Sequence, residues 1–185
     1  MTTTRSRRAF EGHVESYVRF LDEWNPSNAL LERVVVNRRW RYMGRLDLIA
    51  DFPGTWPEGS VFAGVDFSGK PIGRALLDVK TARSGIFSDV ALQLAGYRYA
   101  ETMLDGVDGD GNAIEVPMPV VDWTGAIHVR ADGYDVFRLE TDERQEFRTF
   151  LYAKQVGEWL DYREGRSSEV KSNALRPPRT EETSP

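Results

Sequence analysis

The segment RALLDVKTARSGIFSDVALQLAGYRYAE, Arg74 to Glu101, places an acidic and a basic residue inside an apolar strand-like run. Asp78 and Lys80 are two positions apart, and residues two apart in a strand point to the same face of a sheet. Burying such charges costs free energy unless partners satisfy them. The segment therefore predicts either a structural ion pair at a strand end, or a reactive face on which the carboxylate holds a divalent cation and the ammonium faces a water or a phosphate oxygen.

Composition narrows the possible chemistry. The 185 residues include no cysteine, which excludes disulfides, thiolate zinc sites and cysteine-bound iron–sulfur clusters. The net charge of −5 argues against a polycation that coats nucleic acid, although local basic patches can still bind phosphate. The start MTTTRSRRAF has no apolar stretch after its arginines, and no run approaches the ~18 apolar residues of a membrane span. We expect a cytoplasmic protein without a membrane segment.

The apolar spacing predicts one domain of the α/β or α+β class, with a small mixed β-sheet flanked by helices. The predicted helices are residues 10–24, 88–104 and 142–164, the last packing through Phe147, Phe150, Leu151, Val156, Trp159 and Leu160. The predicted strands are 30–40, 42–52, two within 60–81, and a hairpin over 122–140 with its turn at Asp132-Gly133. Residues 1–9 are expected to be flexible and basic, 10–164 to form the domain, and 165–185 to be a disordered tail.

A further carboxylate, Asp47, lies in the apolar segment YMGRLDLIAD. If its strand neighbours that of Asp78, two carboxylates and a backbone carbonyl would suit Mg²⁺, which prefers oxygen ligands and keeps several waters. Lys80 beside them would stabilise developing negative charge or help to deprotonate a water. Zinc has no evident ligand set. The loop 105–119 contains DGVDGDG, but it lacks the distal glutamate and the flanking helices of a calcium site.

Three motifs follow one another along the chain: Gly44-x-x-Asp47, Asp78-x-Lys80 and Gln93-x-x-x-Tyr97. In this order and at these spacings they resemble the RecB-like exonuclease branch of the PD-(D/E)XK nuclease superfamily, in particular proteins of actinobacterial phages and prophages. The resemblance implies a restriction-endonuclease-like core. It also implies a Mg²⁺-dependent DNA nuclease of the exonuclease type, with Mn²⁺ as a substitute. Such a nuclease would act in phage or bacterial recombination or repair, with phage recombination or replication proteins as possible partners.

The resemblance assigns a role to each matching residue. Asp47 and Asp78 would bind the metal together with the backbone carbonyl of Val79, Lys80 would be the catalytic lysine, and Gln93 and Tyr97 would organise the site. Two features depart from the family pattern: the early helix motif with its histidine is missing, and so are the four cysteines of the cluster-bearing members. The first departure leaves open an N-terminally shortened, catalytically impaired module that binds nucleic acid or a protein partner.

Simpler interpretations accompany each site residue. Asp78 and Lys80 could form an ordinary ion pair, Asp47 could pair with Arg45 or Arg41, and the helix motif could be plain packing. Several basic residues could contact DNA phosphates, which would give little sequence specificity, or could only be charged residues at a solvated strand edge. They are Arg39, Arg41, Arg45 and Arg83.

Overall fold

The computed structural model describes residues 3–81, 85–86 and 88–165. Within them the protein is a mixed α+β structure, which confirms the predicted class. The helices are α1 (Thr3–Trp24), α2 (Asp89–Arg98) and α3 (Arg148–Gly165), with a π-helix (Glu143–Phe147) before α3. The strands are β1 (Ser27–Leu31), β2 (Val34–Asn37), β3 (Tyr42–Arg45), β4 (Leu48–Thr55), β5 (Val61–Phe62), β6 (Val65–Asp66), β7 (Pro71–Lys80), β8 (Thr102–Val107), β9 (Ala113–Pro117), β10 (Trp123–Arg130) and β11 (Gly133–Leu139).

The central sheet has five strands in the order β1-β4-β7-β10-β11. Strands β7 and β10 are parallel, and the other neighbours are antiparallel. A parallel pair needs a long crossover connection, and here the chain between β7 and β10 contains α2 and the β8–β9 hairpin. The predicted hairpin over 122–140 is confirmed as β10 and β11.

Both faces of this sheet are covered. Phe20 of α1 packs with Ala75 and Leu77 on one face, whereas Leu94 of α2 packs with Leu76 on the other. Strands buried on both faces have nearly continuous apolar sequences, which explains the run before Asp78. Because Asp78 alternates with Leu77, it shares the face of Leu76, beneath the α2 layer.

The predicted strand 42–52 is wrong as a single element, because the chain changes sheet at Leu46 and Asp47. Strand β3 belongs to a second sheet of order β3-β2-β8-β9, and β4 belongs to the central sheet. At the break, the Leu46 N–H donates to the Arg33 carbonyl at 2.9 Å, and the Glu32 N–H donates to the Asp47 carbonyl at 3.0 Å. The backbone therefore stays paired while it crosses from one sheet to the other.

The predicted helix 88–104 is too long, and the predicted loop 105–119 is a hairpin. Helix α2 ends at Arg98, and Leu104 lies in β8. Strands β8 and β9 pair on either side of a turn in which Asp108 accepts the N–H groups of Asp110 and Asn112, at 3.0 and 2.8 Å. The acidic loop is thus folded by its own side chain, as Asx turns are.

The first and last helices differ in detail from the prediction. Helix α1 begins at Thr3, earlier than the predicted start at residue 10. Phe147 is buried as predicted, but three residues expected to pack the last helix are exposed, namely Val156, Trp159 and Leu160. The predicted tail beyond residue 165 lies outside the described residues. In the part of the chain that is described, no helix is long and apolar enough to cross a membrane.

Candidate active site

The two predicted metal-binding acids come from neighbouring strands. Strands β4 and β7 pair antiparallel with Leu48 opposite Leu77, so the same register places Asp47, just before β4, opposite Asp78. The Asp47 carboxylate turns towards β7, where its Oδ2 accepts the Val79 N–H at 2.8 Å. In the described residues it has no arginine partner, and Arg45 pairs instead with Glu32 at 3.0 Å.

Asp78 is a buried carboxylate that is only partly satisfied. Its side chain is 3% exposed, and Lys80 Nζ lies 2.9 Å from Oδ2 on the face that the two residues share. The Lys80 ammonium is the partner that this oxygen has in the described residues, although its approach does not have the geometry of an aligned hydrogen bond. Burial raises the pKa of Asp78, the Lys80 ammonium opposes that rise, and the nearby charges of Asp47 and Asp89 add to it.

The Val79 backbone completes the oxygen set that the sequence suggests. Its N–H points to the side of β4, because it donates to Asp47. A strand residue directs its N–H and its C=O to the same neighbour, so the Val79 carbonyl also lies on that side. The two carboxylates and this carbonyl therefore belong to one end of the β4–β7 pair.

The helix motif contacts the glycine of the first motif. On α2, the Gln93 side chain donates to the Tyr97 hydroxyl at 3.0 Å. The Tyr97 ring lies directly against Gly44 of β3, where a Cβ atom would come within 2.4 Å of Tyr97 Cε1. Gly44 is therefore required for close approach of the ring, which joins the Gly44-x-x-Asp47 and Gln93-x-x-x-Tyr97 motifs in space.

Two neighbours of the acids were not predicted as site residues. Tyr17 of α1 is half-buried; its pKa is raised by burial first, and then by the charges of Asp47 and Glu32. Asp89 is the first residue of α2, and its negative charge raises the pKa of Asp78. In the sequence, Tyr17 is one apolar position among several on α1, and nothing in that periodicity distinguishes a site residue from a core residue.

The predicted DNA-contacting arginines do not share one strand face. Arg45 is on β3 near Asp47, whereas Arg39 and Arg41 lie in the β2–β3 turn at the other end of that strand. The Arg39 guanidinium lies 5.4 Å from the centre of the Trp40 ring. Arg83 lies outside the described residues.

The site fits a divalent cation of the Mg²⁺ type. The described residues contain no cluster of three or more His, Cys, Asp or Glu side chains that could hold a metal. Mg²⁺ does not need one, since it is commonly bound by one or two carboxylates together with waters and substrate phosphates. The buried Asp78 Oδ2, which has no aligned hydrogen-bond donor in the described residues, is the atom that a cation would satisfy.

No protein-family model matches the chain, and a comparison with curated proteins finds no match. The function is therefore inferred from the site.

Proposed function

We propose that the protein is a metal-dependent DNA nuclease of the exonuclease type, with a restriction-endonuclease-like core. The observation that carries the proposal is the buried Asp78 carboxylate, which lies opposite Asp47 and whose Oδ2 is paired with the Lys80 ammonium without an aligned hydrogen bond. Two carboxylates beside one ammonium leave an excess of negative charge, and a buried charge that is incompletely compensated costs free energy. A bound cation would reduce that cost.

Asp47, Asp78 and the Val79 carbonyl would hold Mg²⁺, or Mn²⁺ in its place. When bound, such a cation supplies positive charge to the scissile phosphate and lowers the pKa of water. The Val79 N–H holds the Asp47 carboxylate in place from the neighbouring strand. Preorganisation of this kind keeps the oxygen ligands at the position where charge develops.

Lys80 supplies positive charge from the protein itself, beside that of the metal ion. Its ammonium is 31% exposed, so it lies at the boundary between the buried carboxylate and solvent. From there it donates hydrogen bonds to the phosphate oxygens and stabilises the charge that grows on them. Gln93 and Tyr97 are positioning residues, because their hydrogen bond and the contact of the ring with Gly44 fix α2 beside β3.

The proposed substrate is DNA, bound through its backbone. Arg45 is the predicted arginine nearest the acids along β3; its side chain is 69% exposed, and it would exchange its ion pair with Glu32 for a phosphate. Backbone contacts do not read sequence, so we expect little sequence specificity. The proposed setting is recombination or repair of phage or bacterial DNA in the cytoplasm, with phage recombination or replication proteins as partners.

The test compares degradation of end-labelled linear DNA and closed circular DNA by wild type and Lys80→Ala, with Mg²⁺, Mn²⁺ or EDTA. We expect cleavage of linear DNA only, abolished by EDTA and reduced about 10²- to 10³-fold in the variant, the effect of removing one group that stabilises transition-state charge. Lys154→Ala is the matched control. Lys154 also pairs with a carboxylate, Glu158 at 2.6 Å, but lies outside the proposed site, and its variant should cleave normally.

Metal-dependent cleavage that survives in Lys80→Ala would overturn the assignment of this site. The competing hypothesis is a module that binds nucleic acid or a protein without hydrolysis, and the Lys80–Asp78 ion pair favours it, because an ion pair needs no metal. It predicts no cleavage by any variant and no heat of Mg²⁺ binding that depends on Asp47 and Asp78.

A further inference from the structure

A polar cavity of about 350 Å³ opens where β10 begins and β11 ends. Its volume is typical of small-molecule pockets, which span ~300–1,000 Å³. It lies at the other end of the central sheet from the candidate active site, because Trp123 pairs with Ala75 and His128 pairs with Lys80 on the parallel strands. Those two pairs are five residues apart, about 16 Å along a strand.

Two arginines without carboxylate partners line this cavity. Arg98 donates to neutral acceptors, the Thr141 hydroxyl at 3.1 Å and the Val121 carbonyl at 3.2 Å. The Arg138 guanidinium lies over the rings of Phe67 and Phe62, with centroids at 4.1 and 5.2 Å. In the described part of the chain, neither guanidinium is within ion-pair distance of a carboxylate.

Elsewhere in the described residues, several arginines are neutralised. Carboxylates pair with Arg33, Arg38, Arg45, Arg74 and Arg130. At the cavity, burial lowers the pKa of Arg138, and the positive charge of Arg98 adds to that effect, while Glu140 opposes it. Two cations thus act on each other across a cavity, where an anion would stabilise both of them.

One lining residue also has a donor without a partner. Trp123 lines the cavity and is 1% exposed, and its indole Nε1 has no acceptor in the described structure. A buried N–H without an acceptor costs free energy. A bound oxyanion would give the two guanidinium groups the charged partner that they lack in the described structure.

We propose that this cavity binds a small oxyanion, a molecule that carries one phosphate or carboxylate group, between Arg98 and Arg138. Guanidinium groups bind both kinds of group through paired hydrogen bonds. Glu140 and Asp142 also line the cavity, and their negative charge disfavours a polyanion such as the DNA backbone. The ligand site is therefore separate from the proposed nuclease site and stands independently of it.

The test is an NMR titration of the full-length protein with inorganic phosphate and, separately, with acetate. The protein has five tryptophans, so its ¹H–¹⁵N spectrum shows five indole N–H signals, and loss of one signal in Trp123→Phe assigns that of Trp123. We expect phosphate, acetate or both to shift the Trp123 signal selectively and in a saturable way. This experiment on wild type does not depend on whether an arginine variant folds.

Calorimetry then assigns the arginines. Arg98→Gln and Arg138→Gln should each weaken binding of the active anion about 10- to 100-fold, the effect of losing a hydrogen bond between charged groups. Arg19→Gln, on α1, should bind like wild type, because Arg19 does not line the cavity and pairs with Glu23. The proposal is overturned if neither anion shifts the Trp123 signal, or if all three variants bind the anion equally. DNA cleavage is not a readout here, so failure of the nuclease hypothesis leaves the result interpretable.

Discussion

Two carboxylates of this protein, each beside a cation, have opposite electrostatic character. Glu115 on β9 accepts hydrogen bonds from both terminal nitrogens of Arg38 and from the Thr102 hydroxyl, and these lower its pKa to about 2. Asp78 on β7 has Lys80 Nζ at 2.9 Å, yet its pKa is raised, because burial outweighs the attraction of the ammonium.

The difference separates a structural pair from a proposed reactive one. Glu115 accepts hydrogen bonds from aligned donors at the surface of the four-stranded sheet, so its negative charge is already stabilised by the protein. Asp78 is buried at the end of a central strand with one oxygen lacking an aligned donor in the described residues. Functional sites commonly retain groups that cost stability, and the raised pKa of Asp78 marks such a cost.

The largest expected effect follows from neutralising Asp78. In Asp78→Asn we expect cleavage of linear DNA to fall by about 10²-fold or more, since even a residue behind a metal ligand is worth about 10- to 100-fold. The free energy of unfolding at pH 7 should rise by about 1 kcal/mol, because the buried charge is gone. Degradation of linear DNA with Mg²⁺ or Mn²⁺ and urea unfolding measure the two effects.

The raised pKa of Asp78 also predicts how this stability change varies with pH. The pKa of Asp78 is raised in the folded protein, so the folded state binds the proton more tightly than the unfolded state. Ionised Asp78 therefore lowers stability above its folded pKa, and the penalty disappears as the pH falls through that pKa. The advantage of Asp78→Asn over wild type should shrink accordingly in acid.

Asp51 provides the matched control, because it is a satisfied carboxylate on the neighbouring strand. It accepts hydrogen bonds from Arg74 at 2.7 and 3.0 Å and from Asn28 at 2.8 Å, and the pKa of Asp51 is lowered. Asp51→Asn should destabilise the protein and leave cleavage intact. If Asp78→Asn were destabilised in the same way, the contrast drawn between the two classes of carboxylate would fail.

An intermediate effect is expected from Gly44→Ala. The added methyl group would lie 2.4 Å from Tyr97 Cε1, so we expect the ring to move and its hydrogen bond with Gln93 to weaken. Overpacking of this kind costs about 1–3 kcal/mol, and we expect cleavage to fall as well. Thermal or urea unfolding measures the loss.

The double variant Gly44→Ala/Tyr97→Ala tests the cause of that loss. Removing the ring removes the clash, so the two changes should be strongly non-additive in stability. Gly109→Ala, where an added Cβ would meet nothing within 4 Å, is the control and should have little effect. Additive losses at Gly44 and Tyr97 would show that the two motifs do not act on each other.

The sequence predicted the shared face of Asp78 and Lys80 better than it predicted the boundaries of the elements around them. The alternation of Leu77, Asp78, Val79 and Lys80 determines that the two charged residues share a face, and this is confirmed. Such local periodicity depends only on backbone geometry. The contact between Gly44 and Tyr97 was not foreseen, because a glycine in a strand does not indicate which side chain lies over it.

The wrong boundaries share a physical cause. Residues 42–52 form one apolar run, and only tertiary pairing decides that β3 joins one sheet and β4 another. Likewise, Leu104 fits the helical spacing of α2, but its neighbour Met103 belongs to β8 and is paired with Val35 of β2. The ion pairs of Arg33, Arg38 and Arg45 with Asp105, Glu115 and Glu32 also depend on the fold, so the sequence alone did not show that these arginines are paired.

The smallest expected effect, and the one that sharpens the contrast most directly, comes from Glu115→Gln. The pKa of Glu115 is lowered in the folded protein, so its contribution to stability is complete above the unfolded value of 4.5 and is lost as the pH falls to about 2. The stability difference between wild type and Glu115→Gln should therefore be small but measurable at pH 7, as for surface ion pairs generally, and should fade in acid.

Glu58→Gln, an exposed loop variant, controls for the loss of one negative charge. The urea midpoints of all three proteins across pH 2 to 7 give the comparison. If Glu115→Gln were instead more stable than wild type at pH 7 and lost that advantage in acid, Glu115 would, like Asp78, be held at a cost, and the distinction between the two pairs would be lost.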